Sequence, residues 1–294
     1  MLDRSEAGAW RYLTEDFRVF HLRDSLAQKI SYHYHEFDKL VLLRSGRVTY
    51  VVEGVQYSLQ PWDLLLIQRG MVHLPIIDPS EPYERTVLWL SPLWLRKRQG
   101  PDPLDRCFHL ARERGFHLTR IPPERRMLYA DLLQRLREPR DPQLFGSAQM
   151  LDTLCQQLLI LVNRDFLADS PDPALLCRRD DKIEQVLQYI AAHLGESLTI
   201  GDLARQSYLS RSYLMHRFKE VTGCTVHQYI SQRRLIAAGE LIRSGHPLTA
   251  AAEQVGFPEY STFLRAFQRT FGVTPREFQR RGGEALETAA REGP

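Results

Sequence analysis

The sequence predicts a two-domain α+β protein in which a barrel or sandwich of short strands precedes an all-helical domain. Between about residues 30 and 95, apolar and polar residues alternate with period two, which is typical of half-buried strands. A helical pattern, DLARQSYLSRSYLMHRFKEVTG from Asp202 to Gly223, returns in similar form as AAEQVGFPEYSTFLRAFQRTFG from Ala251 to Gly272. From about residue 104 to 168, apolar residues recur at helical spacing.

Composition is that of a soluble globular protein. Of 294 residues, 43% are hydrophobic and 26% are charged, which are ordinary values for such proteins. No apolar run approaches the ~20 residues that span a bilayer, and the N-terminus lacks the apolar core of a signal peptide. We therefore expect a cytoplasmic protein with no membrane partner.

The cysteines and the charge distribution narrow the function further. Cys107, Cys155, Cys177 and Cys224 lack paired metal-ligand spacing, which favours buried, inert thiols over a disulfide framework or a zinc site. Net charge is only +3, but between Ser197 and Arg281 basic residues outnumber acidic ones by 12 to 6. This local surplus suits a polyanionic partner, and a solvated helical face is the alternative.

Two predicted turns divide the strand region into separate strands. In KLVLLRSGRVTYVVEGVQYSL, the pairs Ser45-Gly46 and Glu53-Gly54 separate alternating runs and suit hairpin turns that need positive φ. DLLLIQ and YERTVLWL add two more strand-like runs. Many short strands at this spacing favour a barrel or sandwich over a parallel sheet.

Two amphipathic helices follow the strands. The first places one apolar stripe at Met127, Leu128, Leu132 and Leu136, and the second is more apolar, with Met150, Leu151, Leu154, Leu158, Leu161 and Val162. The second helix has to bury a wide face against the barrel, against a second copy of the chain, or against both. The predicted boundaries are 1–170 for the first domain, 171–178 for a proline-containing linker, 179–281 for the second domain and 282–294 for a flexible tail.

The repeated unit is an internal duplication. Ala204 matches Ala252 at an offset of 48, and after the turn the offset becomes 49, so that Leu214 matches Phe263 and Phe218 matches Phe267. We expect Thr199, Ser210 and Thr249 to cap helices. Gly256 permits the second turn, and Pro258 suits a first helical turn.

Each copy predicts two helices joined by a tight turn, with a polar face on the second helix. Helical spacing turns Leu214, Phe218, Phe263 and Phe267 inward. It turns outward Ser212, Met215, His216 and Lys219 in the first copy, and Ser261, Thr262, Leu264, Arg265 and Gln268 in the second. This is the geometry that places a helix in the DNA major groove. A single helix between the copies would fix their separation, and about 34 Å would match one turn of B-DNA.

At these residues the sequence resembles the AraC/XylS family of bacterial transcription regulators. The second copy carries the resemblance most clearly, in AAEQVGFPEYSTFLRAFQRTFGVTPREF, and the first carries it in LSRSYLMHRFKEVTG. The resemblance implies base contacts from Ser212, Met215, His216, Tyr260, Ser261, Thr262, Leu264 and Arg265. We add Ser210, Arg211, Lys219 and Gln268 to the predicted DNA-binding set. Because Arg265 alone among the base-contacting positions can bond guanine in a bidentate manner, we expect base discrimination to be concentrated in the second copy.

The N-terminal half resembles the cupin-like effector domain of many members of this family. The resemblance is carried by HYHEF, LRSGRVTYVVEGVQYSLQPWDLLLIQRGMVHLP and PYERTVLWLSPLWL. It implies a barrel that binds a small organic effector, with candidate pocket residues His33, His35, Tyr50, His73 and Trp89. The alternative for each is a buried side chain without a ligand role. Lys39 stands where metal-dependent cupin enzymes have a glutamate, so we expect no metal and no cofactor.

The leading hypothesis is therefore a DNA-binding transcription regulator, more in keeping with an activator than a repressor, and not an enzyme. Its expected partners are double-stranded DNA, a small-molecule effector such as a sugar or a related metabolite, a second copy of the chain, and RNA polymerase. The alternative is a metal-dependent cupin enzyme, an isomerase or a dioxygenase, with an attached helical module. A DNA-alkylation-repair relative would need an N-terminal cysteine cluster, but the first cysteine is Cys107.

Overall fold

The computed structural model describes residues 13, 15–24, 33–139, 141–168 and 180–280. The chain divides into two compact units, Met1–Arg179 and Asp180–Pro294. The predicted linker 171–178, the predicted tail 282–294 and Cys177 lie outside the described residues. The described part of the chain contains no helix that is both long enough and apolar enough to cross a bilayer.

Besides a short 3₁₀ helix at Pro123–Arg125, the first unit contains eight described strands and four described α-helices. In chain order they are β1 (Phe17–Asp24), β2 (Asp38–Ser45), β3 (Val48–Val52), β4 (Val55–Leu59), β5 (Asp63–Ile67), β6 (His73–Ile77), β7 (Tyr83–Leu90), α1 (Pro92–Arg96), α2 (Arg106–Arg114), β8 (Leu118–Arg120), α3 (Arg126–Arg137) and α4 (Ser147–Ala168). One antiparallel sheet has the order β1-β7-β2-β5-β8, and the other has the order β4-β3-β6.

The two sheets share one core, which confirms the predicted barrel or sandwich. Side chains from both sheets, including Val41, Tyr50, Leu65 and Trp89, form this inner core. The predicted strand region of about 30–95 was too narrow, because β1 precedes it and β8 follows it. Both are edge strands of the five-stranded sheet. The β1 strand is only partly buried, and β8 has three residues, so neither produces a long apolar alternation.

The five-stranded sheet is buried on both faces. Its inner face meets the other sheet, and its outer face presents Leu40, Leu66 and Leu88 to a second core formed with the helices. Strands covered on both faces need apolar residues at successive positions, as parallel strands also do. This explains why β2, β5 and β7 contain nearly continuous apolar runs.

The helices pack on this sheet, but the buried face of α3 differs from the predicted one. Met127 is 86% exposed and Leu128 is also exposed, whereas the inward stripe is Tyr129, Leu132, Leu133 and Leu136. The Tyr129 hydroxyl donates to the buried Asp165 carboxylate of α4 at 2.7 Å, and this bond adds to the burial of Tyr129 and the three leucines in fixing the rotation of α3. Met127 and Leu128 were assigned to the buried stripe because both are apolar.

Most of the wide apolar face of α4 covers the sheet. Leu154, Leu158 and Val162 are buried in the outer core, and Leu151 and Leu161 pack against it, but Met150 is exposed. Cys107 and Cys155 are also buried in this core, and burial raises the pKa of both thiols. Thiols in such surroundings are inert. This agrees with the prediction of buried, inert thiols at Cys107 and Cys155.

The second unit is helical throughout its described residues. Its elements are α5 (Asp181–Ala192), α6 (Ile200–Gln206), α7 (Arg211–Thr222), α8 (Val226–Arg243), α9 (Leu248–Gln254) and α10 (Tyr260–Phe271), and residues 275–280 are also helical. The predicted single helix between the two copies is α8. Both α7 and α10 contact α8, so one helix connects the two repeated helix pairs.

The turns of the two repeats use different residues for the same backbone conformation. Gly256 has a φ of +87°, and Tyr208 holds the matching position in the first repeat with a φ of +56°. A Cβ atom at Gly256 would lie 2.8 Å from Nη2 of Arg234 and 2.9 Å from the Leu194 carbonyl oxygen. That arginine is itself held by bonds to the carbonyl oxygens of Leu194 and Glu196.

We expect Gly256→Ala to destabilise the second unit by about 1–3 kcal/mol, because it combines left-handed strain with a close contact. Urea denaturation of the full chain measures the change. Tyr208→Gly is the matched comparison, since it removes left-handed strain at an exposed side chain, and it should be neutral or stabilising by up to about 1 kcal/mol. Equal stability of Gly256→Ala and the wild type would show that the turn tolerates a side chain.

Candidate DNA interface and effector site

Capping side chains define where the first repeat begins its helices. Thr199 caps α6 by accepting from the Asp202 amide at 3.1 Å, and Ser210 caps α7 by accepting from the Tyr213 amide at 3.2 Å. These two predicted caps are confirmed. The predicted cap Thr249 is wrong, because Pro247 occupies the N-cap of α9 and Thr249 lies within the helix. Pro258 likewise stands before Glu259, the N-cap of α10, and not in its first turn.

Helix α7 has one buried face and one exposed face. Leu214 and Phe218 are fully buried. The predicted DNA-binding residues of the first repeat are all exposed, namely Ser210, Arg211, Ser212, Met215, His216 and Lys219. The Arg211 guanidinium lies against α6, where a Cβ atom at Gly201 would be 2.8 Å from its Nη2 atom. A glycine at 201 therefore makes room for this arginine at the start of α7.

Arg217 has ionic partners within the second unit. Its Nε atom donates to Asp180 at 2.5 Å, and its Nη1 atom donates to Glu220 at 2.8 Å. Asp180 also caps α5 through the Ile183 amide. The ion pair therefore fixes α7 against α5, which positions the exposed face of α7.

Helix α10 presents a second exposed face. Tyr260, Ser261, Thr262, Arg265 and Gln268 are exposed, and Leu264 is half-buried. Phe263 and Phe267 are fully buried, within an aromatic cluster that continues to Phe271 and Phe278. The Arg265 side chain has no hydrogen bond or ion pair with any described residue. An arginine in this state is available to a ligand.

The helix α8 sets the distance between these two faces. It has 18 residues, which corresponds to a length of about 27 Å. Its N-terminus carries a capping box made by Thr225 and Gln228. Gly239 lies under two rings, since a Cβ atom there would be 3.4 Å from Phe271 and 3.6 Å from Phe278. The absence of a side chain at Gly239 therefore lets both rings pack closely on α8.

The inner core of the first unit contains the predicted effector residues. His35, Tyr50, His73 and Trp89 are buried, and His33 is half-buried. Trp89 packs on Phe37 with ring centroids 4.5 Å apart. The Tyr50 hydroxyl lies 3.1 Å from that of Tyr83. The structure therefore brings all five predicted residues into the space between the sheets.

Three of these residues form a histidine cluster. The ring nitrogens of His33, His35 and His73 lie within 4.8 Å of one another. Nδ1 of His73 lies 3.0 Å from the Met71 carbonyl oxygen; since that oxygen can only accept, Nδ1 carries the proton and Nε2 is the acceptor. Burial, together with the nearby charges of His33 and Lys39, lowers the pKa of His73 well below its usual value.

This cluster offers three nitrogen donors to a metal ion, but the fourth position of a metal-dependent cupin enzyme does not fit. Lys39 takes the place of the carboxylate ligand in the sequence, and alternation along β2 puts its side chain on the inner face with Val41 and Leu43. An ammonium group repels a bound cation, and it cannot replace a carboxylate ligand. The expectation that no metal binds here therefore remains a prediction.

Two family models match the two units separately. The family model described as an AraC-like ligand binding domain matches residues 18–139, and the one described as a helix-turn-helix domain matches residues 203–281. Together they cover more than half of the chain.

This chain belongs to the AraC family.

Membership of the AraC family confirms the resemblance inferred from the repeated unit. The chain is an AraC-family transcription regulator with an effector-binding domain and a DNA-binding domain. It is similar to the HTH-type transcriptional activator RhaS of Salmonella schwarzengrund and of Salmonella typhimurium. In each case the identity is 26% over 268 residues, which covers 86% of this chain and 88% of the relative.

Solved structures of AraC-type proteins are also similar. The C-terminal domain of AraT, a response regulator from Geobacillus stearothermophilus, is 28% identical, with a TM-score of 0.34, over 35% of this chain and 87% of that domain. A structure of ToxT from Vibrio cholerae is 15% identical, with a TM-score of 0.36, over 90% of this chain and 98% of that protein.

Sequence reasoning omitted Arg269 and Arg85, two positions that the geometry of this AraC-family chain brings to its sites, and it used a third, Lys39, only as an argument against a metal. Arg269 is exposed one helical turn after Arg265, and the i, i+4 spacing was the available signal. Arg85 is buried and pairs with Asp24 at 2.5 Å. Lys39 is only 9% exposed, and burial together with the charge of Arg85 lowers its pKa to about 7. Alternation along β2 would have placed Lys39 on the same face as Val41 and Leu43.

Proposed function

We propose that this AraC-family regulator activates transcription by binding an operator through α7 and α10 when a small organic molecule occupies the first unit. The DNA-binding fold supports DNA as the partner. Similar proteins are named transcriptional activators, which supports activation and not repression. A bacterial regulator of this kind acts in the cytoplasm, where its operator lies.

The proposal rests on one observation. The helices α7 and α10 both contact α8, and each presents an exposed polar face. We propose that Arg265 reads a base in the major groove, since a guanidinium can bond guanine in a bidentate manner. Tyr260, Ser261, Thr262 and Gln268 would contact neighbouring base or phosphate groups. In the first repeat, Arg211, Lys219 and the capped start of α7 at Ser210 would contact phosphates. Met215 would pack on thymine methyl groups.

The test begins with selection of bound duplexes from random DNA by the full-length protein. We expect one enriched motif with two half-sites about one helical turn apart. The motif is then placed before a reporter gene, where the protein should raise expression. Recovery of random sequences would contradict specific binding, and lower expression from the motif would replace activation with repression.

We propose that the regulator forms a homodimer through the α3–α4 hairpin. The bond from Tyr129 to Asp165 places the start of α3 beside the end of α4. Exposed apolar side chains run along this hairpin and the turn before α4, and they are Met127, Leu128, Leu144, Phe145, Met150, Ile160 and Leu167. Several exposed apolar side chains on one hairpin are typical of an interface, and a second copy is the simplest symmetric partner.

The double variant Phe145→Asp/Ile160→Asp is expected to be monomeric, because it places two charges in the proposed apolar interface. Light scattering coupled to size-exclusion chromatography measures the mass. Ile76→Asp is the matched control, since Ile76 is also exposed but lies on β6 of the first unit. A monomeric wild type, or a dimer that survives the double substitution, would contradict this interface.

The proposed effector is a sugar or a related metabolite that binds between the two sheets, near His33, His35, Tyr50, His73 and Trp89. Buried polar groups in an aromatic surrounding can orient a small polar ligand. Binding would change operator affinity because the effector binds one of two conformations more tightly than the other. RNA polymerase is the further partner that an activator has to contact.

The histidine cluster is the observation that favours the alternative function, a metal-dependent cupin enzyme. Elemental analysis of the purified full-length protein separates the two functions. An equivalent of tightly held transition metal would support the enzyme, and less than about a tenth of an equivalent would support the regulator.

A further inference from the structure

The Lys39 side chain is a buried amine without an acidic partner among the described residues. It lies on β2, opposite Trp89 on β7 and Ile67 on β5, and it faces the inner core. Within the part of the chain that the structure describes, its ammonium group has neither a hydrogen bond nor an ion pair. Lys and Arg are almost never buried without a partner, because removing the charge from water costs several kcal/mol per ion.

The other buried cation in this core is already neutralised. Arg85 donates to the Asp24 carboxylate at 2.5 Å and stacks on Tyr83 with its guanidinium carbon 4.2 Å from the ring centre. Arg85 does not stabilise the charge of Lys39, since its own charge lowers the pKa of that lysine further. The inner core therefore carries one uncompensated positive charge whenever Lys39 is protonated.

The same inner core contains a buried hydrogen-bond acceptor. Nε2 of His73 is buried and has no hydrogen-bond partner among the described residues. Trp89 lies opposite Lys39, its ring centroid is 6.0 Å from that of His35, and the His35 ring is 5.2 Å from that of His73, so these groups line one part of the core. Trp89 and Phe37 form an aromatic wall beside it, with Trp89 also packed on Phe20 at 4.6 Å. A ligand that satisfies both groups needs an anionic acceptor and a hydroxyl donor.

We propose that the effector is a hydroxylated carboxylate, such as a sugar acid, whose carboxylate pairs with Lys39 and whose hydroxyl donates to Nε2 of His73. The inference rests on the proposed function and narrows its effector from a sugar or related metabolite to an acid. A neutral sugar forms no ion pair with Lys39, and burial, which lowers the pKa of Lys39 to about 7, then favours the uncharged amine. A carboxylate stabilises the charged form, so the acid gains an interaction that the neutral sugar lacks.

The test uses pairs of neutral sugars and their acids with the full-length protein. D-glucose is compared with D-gluconate and D-glucuronate, and D-galactose with D-galactonate and D-galacturonate, each at millimolar concentration in a thermal-shift assay. Binding to the native state raises the melting temperature. We expect at least one acid to raise it while the parent sugar does not, and calorimetry then gives the affinity.

Lys39→Met should lower that affinity by about 30-fold or more, which is typical when one partner of a buried charge pair is removed. Lys97→Met is the matched control, because Lys97 is an exposed lysine of the same unit, and it should bind the acid as the wild type does. His73→Phe should weaken binding less than Lys39→Met, since it removes a neutral acceptor.

Several results would overturn the inference. They are a parent sugar that binds as tightly as its acid, an acid that binds Lys39→Met unchanged, and no thermal shift with any acid in the panel. Stoichiometric metal in the purified protein would also overturn it, since a metal would occupy Nε2 of His73. Operator binding with and without the acid separates this inference from the proposed function. An acid that binds through Lys39 without altering operator affinity would contradict only the regulation.

Discussion

Arg265→Ala is expected to weaken binding to the selected operator by about 10- to 100-fold and to relax the sequence preference at one base pair. The loss corresponds to the roughly 1–3 kcal/mol that a bidentate arginine–guanine contact contributes to discrimination. Arg265 is exposed and lacks a side-chain partner among the residues the structure describes, so its removal should not disturb the fold. Fluorescence anisotropy with the operator and with single-base variants measures both quantities.

Two comparison variants separate base reading from charge. His216→Ala should reduce affinity less and should leave the preference at that base pair intact. Lys219→Ala should weaken binding to all sequences about equally and should lower the slope of log affinity against log salt by about one. A greater loss of sequence preference from His216→Ala than from Arg265→Ala would contradict the proposal that the second repeat carries base discrimination.

Phe267→Ala is expected to destabilise the second unit by about 3–5 kcal/mol, the usual cost of truncating a buried phenylalanine. Phe267 is fully buried, and its ring centroid lies 5.3 Å from Phe263, 4.1 Å from Phe271 and 5.3 Å from Phe278. Since domains have a free energy of unfolding of about 5–15 kcal/mol, this loss would unfold a substantial fraction of the molecules near 37 °C. Urea denaturation at 25 °C, followed by far-ultraviolet circular dichroism, measures it.

The half-buried ring of Phe257 supplies a graded comparison. It contacts Phe263 at 5.3 Å but retains exposure to water, so Phe257→Ala should destabilise the unit by less. Operator binding should fall with Phe267→Ala at 37 °C and recover at lower temperature, because α10 is lost only when the unit unfolds. Equal destabilisation by the two variants would show that the aromatic cluster does not depend on Phe267.

The second unit was predictable because its signals are local. Caps at Thr199 and Ser210, the inward spacing of Leu214 and Phe218, and the helix between the repeats all depend on residues within a few turns of one another. The errors at Thr249 and Pro258 are also local: the chain begins α9 at Leu248 after Pro247, and it begins α10 at Tyr260, two residues beyond Pro258. Such errors shift a helix end without changing which face is buried.

The first unit was less predictable because its packing joins distant segments. β1 pairs with β7, but the alternation that begins at Phe17 and Val19 breaks at Phe20, so no long period-two run marks it as a strand. The rotation of α3 depends on the outer core, where Tyr129 and three leucines of α3 are buried and Tyr129 bonds Asp165, 36 residues away. Apolar content placed Met127 in the buried stripe, but it could not supply the partner that decides the phase of the helix.

The sequence by itself determined the two-domain α+β architecture, the duplicated helix pairs and their outward-facing residues, because period and spacing are written in consecutive positions. Only the tertiary structure decided which polar groups share the inner core. Lys39, His73, Arg85 and Asp24 come from four different strands, and their charges interact only after those strands pair. In the folded chain the charge of Arg85 is paired with Asp24, whereas Lys39 has no acidic partner among the described residues. This difference depends on three-dimensional distances and not on any local pattern.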